Sequence, residues 1–186
     1  MNRLSNLADI ARLYATHGGL NYGEGVTQIE HALQSAALAE ASCCAPSLVA
    51  ASLLHDIGHL FEEEAKVAGS TFDGRHEASG AKALSGLFVE SVWQPVALHV
   101  AAKRYLCFKD LHYYDALSPA SQHSLALQGG PFTTTEASAF EGMAYWRDAV
   151  ALRRFDDMGK REEISRRSFE DFTPLLHNLL IEAAKS

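Results

Sequence analysis

Apolar residues recur every three or four positions along most of this 186-residue chain, a spacing typical of amphipathic helices. Two capping boxes, Thr27 with Glu30 and Thr133 with Glu136, each mark the beginning of a helix. Pro46 stands where a proline opens the first turn of another helix. Because runs of alternating β-branched residues are absent from the sequence, it predicts an all-α fold.

The helical segments predict a bundle of about seven to nine helices. A domain usually contains about 100–200 residues, so we expect residues 1–186 to form one domain. The expected helices cover residues 3–16, 27–43, 46–58, 76–88, 89–106, 118–128, 133–157 and 169–184.

Several features predict a cytoplasmic protein. The three cysteines are an odd number and two are adjacent, which predicts free buried thiols in a reducing compartment. The first residues mix both charge signs with apolar residues, unlike a signal peptide. Prolines and glycines interrupt the longest uncharged run, residues 116–135, so it is not expected to span a membrane. A net charge of −7 argues against a nucleic-acid partner.

Histidine is abundant, with nine in the chain, and it is the commonest metal ligand in proteins. Four histidines fall on different predicted helices, and two aspartates accompany them. In a helical bundle, such residues can meet in the core and bind metal. If one carboxylate bridges, they suffice for two ions, and nitrogen with carboxylate donors suits iron, manganese or zinc better than calcium. The candidate ligands are His31, His55, Asp56, His76, His99 and Asp156.

The adjacent pair His55-Asp56 is the most informative part of this set. It directly follows the apolar run 49–54, so both side chains are expected at the edge of the core. A buried polar group without a partner costs about 1–3 kcal/mol. The side chains of His55 and Asp56 therefore need partners. No role is assigned to His17, His112, His123 and His177.

The chain resembles the HD-domain superfamily. Its pattern is a histidine, an adjacent His-Asp pair and a distant aspartate, matched here by His31, His55-Asp56 and Asp156. Most members are metal-dependent phosphohydrolases. His76 and His99 match the two further histidines of members that bind two metals.

A closer resemblance is to the di-iron oxygenase branch that cleaves carbon–phosphorus bonds. This branch includes the 2-amino-1-hydroxyethylphosphonate dioxygenases and relatives that act on the trimethylammonio analogue. The similarity covers about residues 20–160, and its specific segments are Gln28–His31, Leu53–His59, His99–Leu106, Leu127–Pro131 and Arg153–Asp156.

This resemblance implies a mixed-valent Fe(II)/Fe(III) pair with dioxygen as co-substrate. One iron would be held by His31, His55, Asp56 and Asp156. The other would be held by His76, His99 and the bridging Asp56. The small-molecule substrate would chelate one iron, and C–P cleavage would give phosphate and a carboxylic acid, either glycine betaine or glycine.

The resemblance also implies catalytic and substrate-binding residues. Lys103 lies four residues after His99, and Arg153 lies three before Asp156, so each is expected on the face of a metal ligand. Arg154 and Asp157 remain alternatives to Arg153 and Asp156. The implied catalytic residues are Tyr22, Glu24, His59 and Lys103, and the implied substrate contacts add Ser121, Gln128 and Arg153.

The loop that contains Tyr22 and Glu24 departs from the family pattern. The two residues are separated by one position, whereas the family separates its Tyr and Glu by two. Either the loop is shorter here, or the two side chains have different roles. A trimethylammonium group prefers aromatic faces with a carboxylate nearby. We therefore expect the trimethylammonio substrate rather than the amino one, held by a cage drawn from Tyr22, Glu24, Phe61, Phe72 and Phe132.

Two other functions fit the same residues. An HD phosphohydrolase needs only a Lewis acid and an activated water, so its activity persists without oxygen. A catalytically silent protein that binds metal or phosphonate is disfavoured because every ligand position is filled.

Overall fold

The computed structural model describes residues 4–21, 25–67, 75–161 and 167–184. These residues form eleven α-helices, and the predicted all-α fold is confirmed. The described residues contain no strand, only the isolated bridges Asn21–Thr27 and Phe88–Leu180. The helices are α1 (Leu7–His17), α2 (Gln28–Ala41), α3 (Pro46–Leu54), α4 (Ile57–Val67), α5 (His76–Leu84), α6 (Glu90–Lys109), α7 (Leu111–Ala116), α8 (Pro119–Leu127), α9 (Thr134–Glu141), α10 (Trp146–Met158) and α11 (Thr173–Asn178).

Both predicted capping boxes are present. The hydroxyl of Thr27 accepts from the backbone N–H of Glu30, and the Glu30 carboxylate accepts from the Thr27 backbone N–H. Thr133 and Glu136 form the same pair at the beginning of α9. These side chains satisfy N–H groups that a helix start otherwise leaves unpaired.

Several predicted helix boundaries were wrong. The helix that begins at Pro46 ends at Leu54, and a separate helix, α4, follows the break at His55-Asp56. The helix expected over 133–157 is divided into α9 and α10, because Tyr145 adopts a left-handed conformation with φ 61°. The segment 169–184 holds only the short α11 between two 3-10 turns. Helix α7 was not predicted.

Helix α6 lies at the centre of the packing and contacts α3, α5 and α10. Its buried face includes Val92, Val96 and Ala102, interrupted by His99 and Lys103. Two polar side chains on the buried face of a central helix need partners in the interior. The packing brings together the candidate site residues of α2, α5, α6 and α10 and of the break that follows α3.

Two further sequence predictions concern the cysteines and the membrane. All three cysteines are free thiols. The prediction that all three are buried holds only for Cys107. Cys43 lies exposed in the turn after α2, and Cys44 is half-buried. Among the described helices, none combines the length and apolar character that crossing a membrane requires.

Gly58 permits the close approach of α4 to α5. A Cβ atom at this position would lie 2.0 Å from the backbone carbonyl oxygen of His76. The glycine therefore lets the first residue of α5 come up against the break that carries Asp56.

We expect Gly58→Ala to push α5 away from α4 and to lower the free energy of unfolding by about 1–3 kcal/mol, since overpacking a close contact forces the backbone to shift. Because His76 moves with α5, bound metal should also fall. Denaturant unfolding and metal analysis measure both effects. Gly86→Ala is the control, because its nearest neighbour, the carbonyl oxygen of Ala83, would lie 3.8 Å from the new Cβ. Equal effects of the two substitutions would contradict the packing argument.

Candidate metal centre and pocket

Six buried or nearly buried side chains meet where five helices converge. His31 lies in the first turns of α2, and His55 and Asp56 occupy the break between α3 and α4. His76 begins α5, His99 lies within α6, and Asp156 lies in the last turn of α10. All six are the residues that the sequence predicted as metal ligands.

These side chains form two groups that could each hold a metal ion. In the first group, Nε2 of His31 lies 3.1 Å from Nε2 of His55 and 3.5 Å from Oδ1 of Asp156. In the second group, Nε2 of His76 lies 3.1 Å from Nε2 of His99.

Asp56 connects the two groups. Its Oδ2 lies 3.6 Å from Nε2 of His31 and 3.3 Å from Nε2 of His55. Its Oδ1 lies 3.5 Å from Nε2 of His76 and 3.7 Å from Nε2 of His99. One carboxylate therefore presents one oxygen to each group, which is the geometry that a bridging ligand requires.

Backbone carbonyls fix the orientation of three histidine rings. Nδ1 of His31 lies 3.0 Å from the oxygen of Gly159, Nδ1 of His55 lies 2.9 Å from that of Ser52, and Nδ1 of His99 lies 2.7 Å from that of Val96. When a neutral ring donates from Nδ1, its Nε2 carries a lone pair. Metal-ligating histidines are held in this way.

Two buried carboxylate oxygens support a bound cation. Oδ2 of Asp56 and Oδ1 of Asp156 accept no hydrogen bond from the part of the chain that the structure describes. Leaving a buried charged acceptor unpaired costs about 1–3 kcal/mol or more. Ligands at right angles around an ion about 2.1 Å away lie about 3.0 Å apart, and about 3.4 Å apart in a tetrahedron. The separations of 3.1–3.7 Å between neighbouring ligand atoms lie near these values.

The pKa shifts of the histidines differ between the two groups. Burial lowers the pKa of His55, but Asp56 and Asp156 outweigh it and raise this pKa to about 9. Burial lowers the pKa of His99 to about 4, so its ring is neutral near pH 7. A bound metal ion would neutralise the carboxylates of Asp56 and Asp156 and would displace the proton from His55.

His59 lies beside the second group. Its ring stacks on His76 with 3.9 Å between ring centroids, and its Nδ1 lies 3.1 Å from Oε2 of Glu62. Burial lowers the pKa of His59, but the hydrogen bond to Glu62 and the charge of Asp56 raise it overall.

A cavity of about 840 Å³ opens onto the centre. Asp56, His76, His99 and Asp156 line its metal side. The predicted catalytic and substrate-binding residues in the described chain also line it: His59, Lys103, Ser121, Gln128 and Arg153.

Buried cations form one end of this cavity. Nζ of Lys103 donates to the hydroxyl of Ser124 at 2.6 Å. Burial, followed by the charge of Arg153, lowers the pKa of Lys103 to about 8. Nη1 of Arg153 donates to Oδ2 of Asp156 at 2.7 Å. An anionic ligand would relieve the repulsion between these cations.

The structure distinguishes Arg153 from Arg154 and Asp156 from Asp157 as candidate site residues. Arg153 is buried and lines the cavity, whereas Arg154 is exposed. Asp156 faces the first metal group, whereas Asp157 binds Arg153 and the hydroxyl of Tyr113.

Sequence reasoning missed Ser124, Glu62 and Lys160. Nζ of Lys160 lies 3.2 Å from the hydroxyl of Ser121 and 3.6 Å from Oδ1 of Asp156. Their spacing from predicted residues was an available signal: Ser124 follows Ser121 by three positions, Glu62 follows His59 by three, and Lys160 follows Asp156 by four.

The predicted aromatic cage is largely untested. Tyr22, Glu24 and Phe72 lie outside the described residues. The prediction was wrong for Phe61, because its ring packs into the hydrophobic core. Phe132 lines the cavity, but the guanidinium of Arg104 lies over its ring, 4.6 Å from the centroid.

Comparisons with known proteins identify the family of this chain. The HD domain model matches residues 29–122. The chain belongs to the HD-domain family.

Two curated relatives of this HD-domain protein extend the match over most of its length. Hydroxymethylphosphonate dioxygenase of Gimesia maris is 43% identical over 83% of this chain and 78% of the relative. The glycine-betaine-forming [1-hydroxy-2-(trimethylamino)ethyl]phosphonate dioxygenase of Leisingera caerulea is 36% identical over 97% of this chain and 93% of the relative.

A third relative of this HD-domain protein has no activity in its name. An uncharacterised protein of Acanthamoeba polyphaga mimivirus is 32% identical over 98% of this chain and 85% of the relative.

We expect Asp56→Ala to reduce metal binding at both groups, because its two oxygens face different groups. His99→Ala should reduce it at one group only. After loading with Fe(II) and gel filtration, elemental analysis should find roughly half the wild-type metal in His99→Ala and far less in Asp56→Ala. His123→Ala is the control, because that side chain is exposed. Equal losses from Asp56→Ala and His99→Ala would contradict the bridging role.

Proposed function

We propose that this HD-domain protein is a phosphonate dioxygenase that uses O2 to cleave the carbon–phosphorus bond of a 1-hydroxyphosphonate. One observation carries the proposal: a cavity joins a candidate two-metal centre to a cluster of buried cations. The names of the two curated relatives support the reaction class.

Two iron ions, in a mixed-valent Fe(II)/Fe(III) pair, are the proposed cofactor. His31, His55 and Asp156 would hold one ion, His76 and His99 the other, and Asp56 would bridge them. Nitrogen and carboxylate donors suit iron, and the relatives are named dioxygenases. The iron pair would bind dioxygen and exchange electrons with it.

The cation cluster is the proposed phosphonate site. A phosphonate dianion needs fixed cationic donors, and charge-assisted hydrogen bonds contribute about 1.5–3 kcal/mol each. Lys103 and Arg153 are both less than 5% exposed, so water competes little for them. Because the chain carries a net charge of −7, local cations are needed to attract the substrate.

His59 and Gln128 are proposed to contact the rest of the substrate. Because Nδ1 of His59 faces Glu62, its Nε2 is the nitrogen that can exchange a proton in the cavity. Oε1 of Gln128 is buried and has no hydrogen-bond partner among the described residues, so it could accept from a substrate hydroxyl. The catalytic roles of Tyr22 and Glu24 stay predictions from the resemblance.

The proposed substrate is 1-hydroxy-2-(trimethylammonio)ethylphosphonate, which would give phosphate and glycine betaine. One O2 per turnover balances this reaction without an external reductant. The carboxylates of Glu62 and Glu77 also line the cavity and suit a cationic nitrogen. The amino analogue, which would give glycine, is a second substrate to test. Hydroxymethylphosphonate is a third, because it is named for the Gimesia maris relative.

Two broader predictions accompany this proposal. We propose that residues 1–186 act as one HD-type domain, supported by the shared packing of α6 with α3, α5 and α10. The cytoplasmic location stays a prediction from the sequence.

The decisive experiment measures phosphate release by the iron-loaded protein with and without O2. The three 1-hydroxyphosphonates are compared with phosphocholine, a phosphomonoester of similar size and charge. We expect release from a hydroxyphosphonate only with O2, with one O2 consumed per phosphate. Release from phosphocholine that persists without O2 would instead establish an HD phosphohydrolase.

A further inference from the structure

Residues 159–161 follow α10 and are fixed to α2 at both ends. Nδ1 of His31 lies 3.0 Å from the carbonyl oxygen of Gly159. Nε2 of Gln34 donates to the carbonyl oxygen of Arg161 at 2.8 Å, and Oε1 of Gln34 accepts from the Arg161 N–H at 3.1 Å. We refer to these three hydrogen bonds as the clamp.

The clamp holds the segment tightly against α2. A Cβ atom on Gly159 would lie 2.5 Å from the hydroxyl of Ser35 and 3.1 Å from its backbone nitrogen. A side chain at this position would require the Ser35 hydroxyl to move and the neighbouring backbone to shift by a few tenths of an ångström. The position of the residue that follows is therefore set by α2, the helix that carries His31.

That residue, Lys160, lies between the two ends of the clamp and extends into the cavity. Its side chain is 11% exposed, and its Nζ donates to the hydroxyl of Ser121 at 3.2 Å. The same hydroxyl lies 3.4 Å from Nη2 of Arg153. Ser121 is thus contacted by two cations, and Lys103 binds Ser124 one helical turn further along α8.

Positive charges are concentrated at this end of the cavity. Lys103, Arg153 and Lys160 contribute three, and Asp156 and Asp157 are two carboxylates that face them. Oδ1 of Asp156 also faces the first metal group, where a bound ion would compete for it. A dianionic ligand bound here would relieve the repulsion among the three cations.

We propose that Lys160 binds the phosphonate group and that Gln34, through the clamp, is a positioning residue for Lys160. The substrate class rests on the proposed function above. The binding step itself needs neither O2 nor turnover, so it can be tested even if the reaction class is wrong.

The first test measures binding of inorganic phosphate and of methylphosphonate to the iron-loaded protein by calorimetry. Lys160→Met should weaken both affinities about tenfold to a hundredfold, as expected for the loss of one charge-assisted hydrogen bond. Iron content and thermal stability should be unchanged. Arg154→Met is the control, because it removes an exposed cation from α10 and should leave affinity unchanged. Unchanged affinity in Lys160→Met, or loss of iron, would overturn the proposal.

The second test addresses Gln34. Gln34→Met keeps the length of the side chain but removes both of its hydrogen bonds to Arg161, whereas Gln34→Glu keeps an acceptor for the Arg161 N–H. Phosphate affinity should therefore fall in the order wild type, Gln34→Glu, Gln34→Met. In steady-state kinetics KM should rise while kcat is retained.

A double-mutant cycle separates positioning from a general structural effect. If Gln34 acts through Lys160, Gln34→Met should cause no further loss of phosphate affinity in a Lys160→Met background. Equal losses in both backgrounds would show that Gln34 acts elsewhere and would overturn its positioning role.

Discussion

The carboxylate of Asp56 is the interaction on which the site depends. The two-residue break between α3 and α4 takes this side chain out of a continuous helix and turns its two oxygens toward different histidine pairs. Gly58 allows α5 to approach the same break, so His76 can reach one of those oxygens. The break and the close approach of α5 together place Asp56 between the two groups.

The centre and the cation cluster share Asp156. One of its oxygens faces the first metal group, and the other accepts from Arg153. The same carboxylate would therefore fix the relative positions of a bound metal ion and of Arg153, a cation proposed to bind the phosphonate. Because the residues after α10 are held against α2, Lys160 belongs to the same rigid arrangement. A substrate bound between these groups would have its phosphonate and its reacting carbon oriented together, which is how an enzyme lowers the entropic cost of reaction.

Local signals in the sequence predicted much of this structure. Capping boxes located the beginnings of α2 and α9, and the spacing of His31, His55, His76 and His99 over separate helices predicted a shared core site. Other features depend on tertiary packing. The apolar run that continues past His55 conceals the end of α3, and nothing local requires Tyr145 to adopt a positive φ. Phe61 was assigned to the cavity because aromatic residues suit cations, yet the core offered its ring a larger apolar contact. Lys160 was missed because it lies beyond the end of its helix.

The claim that Asp56 bridges two irons is tested most directly by electron paramagnetic resonance of the iron-loaded protein after partial oxidation. A carboxylate-bridged Fe(II)/Fe(III) pair should couple antiferromagnetically and give a signal with all g values below about 2, and Asp56→Ala should abolish it. Adding the hydroxyphosphonate substrate should shift this signal, because the cavity opens directly onto the centre. A signal from isolated high-spin Fe(III) in the wild-type protein, with no coupled species at two irons per chain, would contradict the account.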